Sequence, residues 1–144
     1  MKNIKVIYWS STGNTESMAQ AVAEGVRSTG AAAELWEVSE INAADISSCP
    51  LLALGCPAMG DEELEEGEFA PFFDELEPHL AGKTVALFGS YDWGDGQWMR
   101  DWQERTAKAG AVIINGGNGL IINNTPEEAD LESCRRLGAE LAEQ

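Results

Sequence analysis

Cationic side chains are scarce in this chain: nine lysines and arginines stand against 25 aspartates and glutamates over 144 residues, a net charge of -16. Attraction to a phosphate backbone or an anionic membrane surface needs clustered Lys and Arg, so nucleic acid and membrane are excluded as partners. A basic protein surface fits the charge, as does a plain gain in solubility. Cysteine is sparse too. Cys49, Cys56 and Cys134 form no CxxC pair and leave an odd thiol, which argues against a disulfide framework and against a zinc site, so no metal is expected. A reducing cytoplasm is the simplest setting. The chain has no apolar run of about 18 residues and no cationic segment leading into a cleavable apolar stretch, so a soluble, unprocessed protein is expected. It also lacks repeats, low-complexity tracts and Pro/Ser-rich linkers. With 44% hydrophobic residues, a chain of this length can bury roughly two-thirds of its unfolded surface, and one domain spanning residues 1–144 is expected.

What is present is a regular alternation. Apolar, β-rich segments occur at Ile4–Trp9, Ala33–Val38, Leu51–Cys56, Thr84–Ser90 and Ala111–Ile122. Stretches with helical spacing separate or follow them: Thr15–Ser28, a short one at Ala43–Ser48, Glu66–Leu76, Gln97–Ala109 and Pro126–Glu143. Near-continuous hydrophobic strands alternating with amphipathic helices predict an α/β fold, a three-layer, doubly wound parallel sheet of five strands with right-handed crossovers. The GGNG within the fifth segment, residues 116–119, marks a bulge or break. Ligands of such sheets sit beyond the carboxyl ends of the strands, so the loops after strands one, three and four are where chemistry is expected.

The first of these, SSTGNT (Ser10–Thr15), puts hydroxyl and amide donors and one glycine at a strand-to-helix turn. The first N–H groups of a helix lack internal acceptors and carry the positive end of its dipole, so a phosphate monoester can bind there without a cation. A Walker A loop would need GxxxxGK[ST], and no lysine is present, which disfavours nucleoside triphosphate hydrolysis. Thr12 or Asn14 would equally serve as an ordinary helix cap. The second loop, PAMGDEELEEGE, has a glycine at its tip and then six carboxylates, Asp61, Glu62, Glu63, Glu65, Glu66 and Glu68, most of which suit a solvated acidic face at the start of a helix. The third, YDWGDGQW, holds Trp93 between Asp92 and Gly94, either as a stacking platform for a flat π-system or folded over its own loop. Trp98 and Trp102, at i and i+4, read as one buried helix face. His79 and Cys56 read as structural.

A ligand with a phosphate at one end and a flat ring at the other fits all three loops, and flavin mononucleotide (FMN) is such a ligand. In YWSSTGNTE, LGCPAMGDEELEE and LFGSYDWGDGQWM the chain resembles the short-chain flavodoxins of anaerobic bacteria. The resemblance, rather than the hydrophobic pattern, implies the strand order 2-1-3-4-5. It places Ser10, Ser11, Thr12, Gly13, Asn14 and Thr15 at the FMN phosphate, with Ser11 where a glycine is common. It also implies contacts from Pro57, Ala58, Ser90, Tyr91 and Gly94, Met59 on the inner face of the ring and Trp93 on the outer, with Asp92 where glycine is frequent beside that tryptophan. Gly60 matches the glycine whose carbonyl turns to accept from flavin N5 on reduction, Asp61 and Glu62 follow it with Glu62 accepting from N3–H, and Asn124 stands at a ribityl or phosphate contact.

The function implied is a low-potential one-electron carrier with non-covalently bound FMN, shuttling between semiquinone and hydroquinone. Its partners would be reductases and oxidoreductases with basic docking surfaces, in place of a ferredoxin, and the protein itself a cytoplasmic monomer. No catalytic residue is required. The alternative is a small FMN-dependent oxidoreductase such as a quinone reductase, which needs a substrate pocket over the ring and extra loops. A phospho-receiver domain needs acids after strands one and three, where Ser10 and Cys56 stand.

Overall fold

The computed structural model describes residues 2–144. Among these residues, six strands and four α-helices follow in the order β1 (Asn3–Tyr8), α1 (Asn14–Ser28), β2 (Ala32–Glu37), β3 (Leu51–Gly55), α2 (Phe69–Leu76), β4 (Thr84–Tyr91), α3 (Gln97–Lys108), β5 (Val112–Ile113), β6 (Leu120–Asn123) and α4 (Glu128–Ala142). The strands form one parallel sheet in the order β2-β1-β3-β4-β5, with β6 also paired to β4. The expected fifth strand is therefore two pieces on one partner: Thr84 and Val85 pair with Val112 and Ile113, and Phe88 to Tyr91 pair with Leu120 to Asn123. The break falls at the glycines, in a 3-10 turn at Asn115–Gly117 where Asn115, Gly116 and Gly117 all have positive φ. A β-branched run could not take that path, because a Cβ crowds the left-handed region.

Two other elements differ from the sequence reading. The Ala43–Ser48 helix is only a 3-10 turn, Ala43–Ile46, closed by a reciprocal cap between Asn42 and Asp45. Helix α2 begins at Phe69, not Glu66, because the Glu65 carboxylate accepts the N–H groups of Gly67, Glu68 and Phe69 at 2.7–2.8 Å and so sets the first turn.

Alternation along the strands sorts the core onto two sheet faces. Ile7, Leu52, Leu54, Val85 and Leu87 face α2 and α3, where Phe69 and Phe73 meet Trp102 edge-on at 5.4 and 5.9 Å. Trp98 and Trp102 are buried, as their i, i+4 spacing indicates. Ile4, Val6, Ala53, Ala86 and Phe88 face α1 and α4, which bury Met18, Val22, Val26, Leu137 and Leu141. These two helices lie backbone to backbone. A Cβ on Gly25 would stand 1.8 Å from the Arg135 carbonyl oxygen, and one on Gly138 2.0 Å from that of Val22.

That contact makes Gly25→Ala a test of the packing. An alanine gains up to about 1 kcal/mol of helix propensity, but pushing two backbones apart in a filled core costs about 1–3 kcal/mol or more. Urea unfolding should show a net loss of stability, whereas an unchanged or raised midpoint would contradict the close crossing.

Candidate functional site

The chain leaves β1 at Tyr8 and turns into α1 through Ser10–Gly13. Gly13 is the residue that permits the turn: it caps α1 with φ 94°, and no side chain caps the helix from that position. Ser10 supplies the cap from further back, its Oγ accepting the N–H groups of Gly13 at 3.1 Å and Glu16 at 3.3 Å. Neither Thr12 nor Asn14 does so. Among the described residues, the N–H groups of Ser11, Thr12, Asn14 and Thr15 donate to no protein acceptor. Four donors at the positive end of a 15-residue helix form a concavity suited to an anion. The Thr15 hydroxyl is not part of it, since it is buried and bonded to Ser90 Oγ at 3.0 Å.

The second loop is fastened to β4 before it turns outward. Cys56 N–H donates to the Phe88 carbonyl at 3.1 Å and Ala58 N–H to that of Ser90 at 3.0 Å, which carries the β3–β4 pairing past the end of β3. Pro57 is buried between them. Met59 and Glu63 then exchange two backbone hydrogen bonds of 2.8 Å and close a tip made of Gly60, Asp61 and Glu62. Gly60 has φ 52° and Glu62 φ 57°, and the Gly60 carbonyl accepts no hydrogen bond from the described residues. A fourth segment joins from the end of β6: Asn124, at φ 62°, donates its N–H to the Tyr91 carbonyl at 2.7 Å.

These segments enclose a cavity of about 190 Å³ lined by Ser11, Thr12, Asn14, Pro57, Ala58, Met59, Ser90, Tyr91, Asp92, Asn124 and Thr125. No lysine or arginine lines it. Gly60, Asp61, Glu62, Trp93 and Gly94 stand outside its wall, on the two loops that flank it. Trp93 is 59% exposed, an unusual placement for an indole. Thr125 is the lining residue the sequence reading did not include; the Asn-Thr-Pro turn after β6, with its left-handed Asn124, was the available signal. A larger groove of about 620 Å³ runs between the end of α2 and α3, but Arg105 spans it through ion pairs to Asp74 and Glu77 at 2.5 and 2.7 Å, and none of the three loops reaches it.

A model of the flavodoxin family matches residues 6–138. The chain is 46% identical over 139 residues to a flavodoxin of Clostridium beijerinckii, covering 96% of this chain and 99% of that protein. It is 44% identical over 135 residues to a flavodoxin of Megasphaera elsdenii, covering 94% and 95%. The solution structure of the two-electron reduced M. elsdenii flavodoxin superposes with a TM-score of 0.88 at 43% identity, over 98% of this chain and 99% of that one. The chain belongs to the flavodoxin family. Its function is that of a low-potential FMN electron carrier, an electron-transfer protein rather than an enzyme. The cavity fits the cofactor by its donor set: unpaired N–H groups at the α1 terminus for a phosphate, and a wall of Pro57, Ala58 and Met59 with an exposed indole on the neighbouring loop for a ring.

Two titratable groups near these loops hold their protons more tightly than usual. Burial pushes the Cys56 thiol well above its usual range, opposed by the Glu65 N–H that donates to its sulfur at 3.4 Å. Tyr8, just before the first loop, is raised to about 12 by burial and by donating to Glu16 at 3.0 Å. His79 is exposed in a 3-10 turn leading to the start of β4, away from the loops. Because the Tyr8 proton is held more tightly in the folded chain than the ordinary value of 10 allows, its stabilisation is complete below pH 10 and lost as pH rises through about 12. A tyrosinate absorbance titration should contain a component near pH 12 that Tyr8→Phe abolishes; loss of a component near pH 10 instead would refute the assignment.

Proposed function

We propose that this chain is a monomeric cytoplasmic carrier, one domain over its described length, that holds FMN non-covalently across its loops and hands on electrons singly to redox proteins with basic docking faces. The observation that carries the proposal is the group of unpaired N–H donors of Ser11, Thr12, Asn14 and Thr15 at the start of α1, with no cation beside them. In a chain of net charge -16, a site with only neutral donors selects an anion by geometry and helix field rather than by ion pairing.

FMN, when bound, supplies a centre that takes up two electrons. The chain's part is to bind it, orient it and separate the two uptakes. Ser10 holds Gly13 and Glu16 in place so that the donors converge. Pro57, Ala58 and Met59 give the inner wall, Ser90, Tyr91 and Asn124 the floor between the loops, and Asp92 the outer side, with the exposed Trp93 and Gly94 on the loop beyond it. The free Gly60 carbonyl is the acceptor available for a proton at N5, and the Met59–Glu63 closure lets the tip reorient while its anchors stay fixed. Asp61, Glu63, Glu66 and Asp95 are exposed around the outer loops, where their negative field opposes a second negative charge on the cofactor and attracts basic partners.

Two outcomes test this reading. FMN should bind at least about 100-fold more tightly than riboflavin, since two charge-assisted hydrogen bonds to the phosphate are together worth about 3 kcal/mol or more; equal affinities would remove the α1 terminus from the site. Electron-transfer rates to a basic partner at limiting concentration should fall as ionic strength is raised past about 0.1 M, where the Debye length is about 10 Å. Rates indifferent to salt would leave the acidic rim with no part in docking.

A further inference from the structure

We propose that Glu62 is a positioning residue, a carboxylate latch between the second and third loops that holds Trp93 in place; the inference rests on the FMN site proposed above. Helix α3 begins at Gln97 with Gly96 as its cap, and glycine offers no side chain to the helix's first N–H groups. The acceptor comes from the opposite loop. Glu62 Oε1 accepts the N–H of Gly96 at 3.1 Å and that of Gln97 at 2.9 Å, placing a carboxylate at the positive end of α3.

Two backbone features are built around this contact. Glu62 sits at φ 57°, a conformation disfavoured for any residue with a Cβ, and it does so where its side chain reaches α3. Gly94, at φ 86°, leaves open the space the carboxylate fills: a Cβ there would stand 2.5 Å from Glu62 Cδ and 2.6 Å from Oε1. Trp93 lies between Asp92 and this cradle. With 59% of its surface exposed, the indole has little packing of its own to fix it, so its loop must be held by the flanking backbone, and the latch is the contact that does so from across the site. One oxygen takes both hydrogen bonds. Oε2 accepts none among the described residues and stays available to a donor on the ligand, so the latch is compatible with a direct contact from Glu62 to the flavin.

A double-mutant cycle separates the two roles. FMN dissociation constants are measured for the wild type, Glu62→Ala, Trp93→Ala and the double variant, and amide hydrogen exchange at residues 96 and 97 is followed in the FMN-saturated proteins. If Glu62 acts through Trp93, Glu62→Ala weakens FMN binding about tenfold or more in the wild-type background and less than about threefold in the Trp93→Ala background. Exchange at Gly96 and Gln97 accelerates in Glu62→Ala and not in Trp93→Ala. An equal penalty in both backgrounds, or unchanged exchange at Gly96 and Gln97, overturns the latch and leaves the FMN site standing. Wild-type affinity in both single variants overturns the site itself. Should the double variant fail to fold, Trp93→Phe replaces Trp93→Ala and Glu62→Asp, too short by one methylene to span the loops, replaces Glu62→Ala, with the same expected non-additivity.

Discussion

The pairing of β3 with β4, carried by two hydrogen bonds as far as Ala58, three residues beyond the end of β3, is the constraint on which the site depends. A parallel ladder that stopped at Gly55 would release the second loop from the sheet at the point where the cavity begins. Cys56 and Ala58 instead keep donating to Phe88 and Ser90, so that Met59 leaves the sheet from a fixed position beside the first loop. The continuation requires small residues on both strands. A Cβ on Gly55 would lie 2.2 Å from the Phe88 ring, and one on Gly89 would lie 2.1 Å from the Cys56 carbonyl oxygen. Trp98 adds a clamp from α3, donating its indole N–H to that same carbonyl at 3.1 Å. The core of one sheet face and the wall of the cavity are thus joined at Cys56, and the thiol is buried because it belongs to the joint.

The same constraint accounts for how an acidic protein can hold an anion. Donors at the start of α1 are oriented by the helix and by the Ser10 cap, so they need no counter-charge that the chain's own carboxylates would compete for. Two of the arginines are occupied elsewhere, Arg105 with Asp74 and Glu77 and Arg135 with Glu24, Glu128 and Glu132, and Arg100 is paired with Asp95. Of the carboxylates near the cavity, Glu65 is turned onto the start of α2 and Glu62 onto that of α3, while Asp92 lines the wall. Glu65 and Glu62 each take the positive end of a helix, whereas at α1 the first-turn Glu16 is turned to the Tyr8 hydroxyl and the N–H groups of Ser11, Thr12, Asn14 and Thr15 stay unpaired among the described residues.

Much of this was legible in the sequence, and what was not has a common cause. Strand and helix order could be read because buried parallel strands are near-continuous apolar runs and the helices carry 3.6-residue spacing, as in Met18, Val22 and Val26. The loop after β1 was legible because its composition departs from that of the rest of the chain. The split of the last strand was signalled by its glycines, though not that both halves would pair with β4. What could not be read were contacts between segments distant in sequence: the Thr15 hydroxyl turned inward to Ser90, Thr125 joining the cavity wall, and the six acids of the second loop doing different work. Glu65 and Glu62 look alike in the string EELEE; only the position of a helix start three or thirty-four residues away tells them apart.

That division of labour bears on why a carrier of this size can do without catalytic side chains. A group that gains a proton with its electron needs a hydrogen-bond acceptor of fixed identity at that proton, and a side chain titrating near neutral pH would add its own pH dependence to that of the transferred proton. Here the candidates are backbone. The Gly60 carbonyl accepts from no donor among the described residues, carries no titratable charge, and sits within the tip that the two Met59–Glu63 bonds close. His79 lies at the far end of β4 and Cys56 is held protonated by burial, so neither offers an alternative route for the proton. If the tip reorients at Gly60 as proposed, the change is confined to one glycine peptide, because the Met59–Glu63 pair and the continuation of β3 along β4 are bonded independently of it.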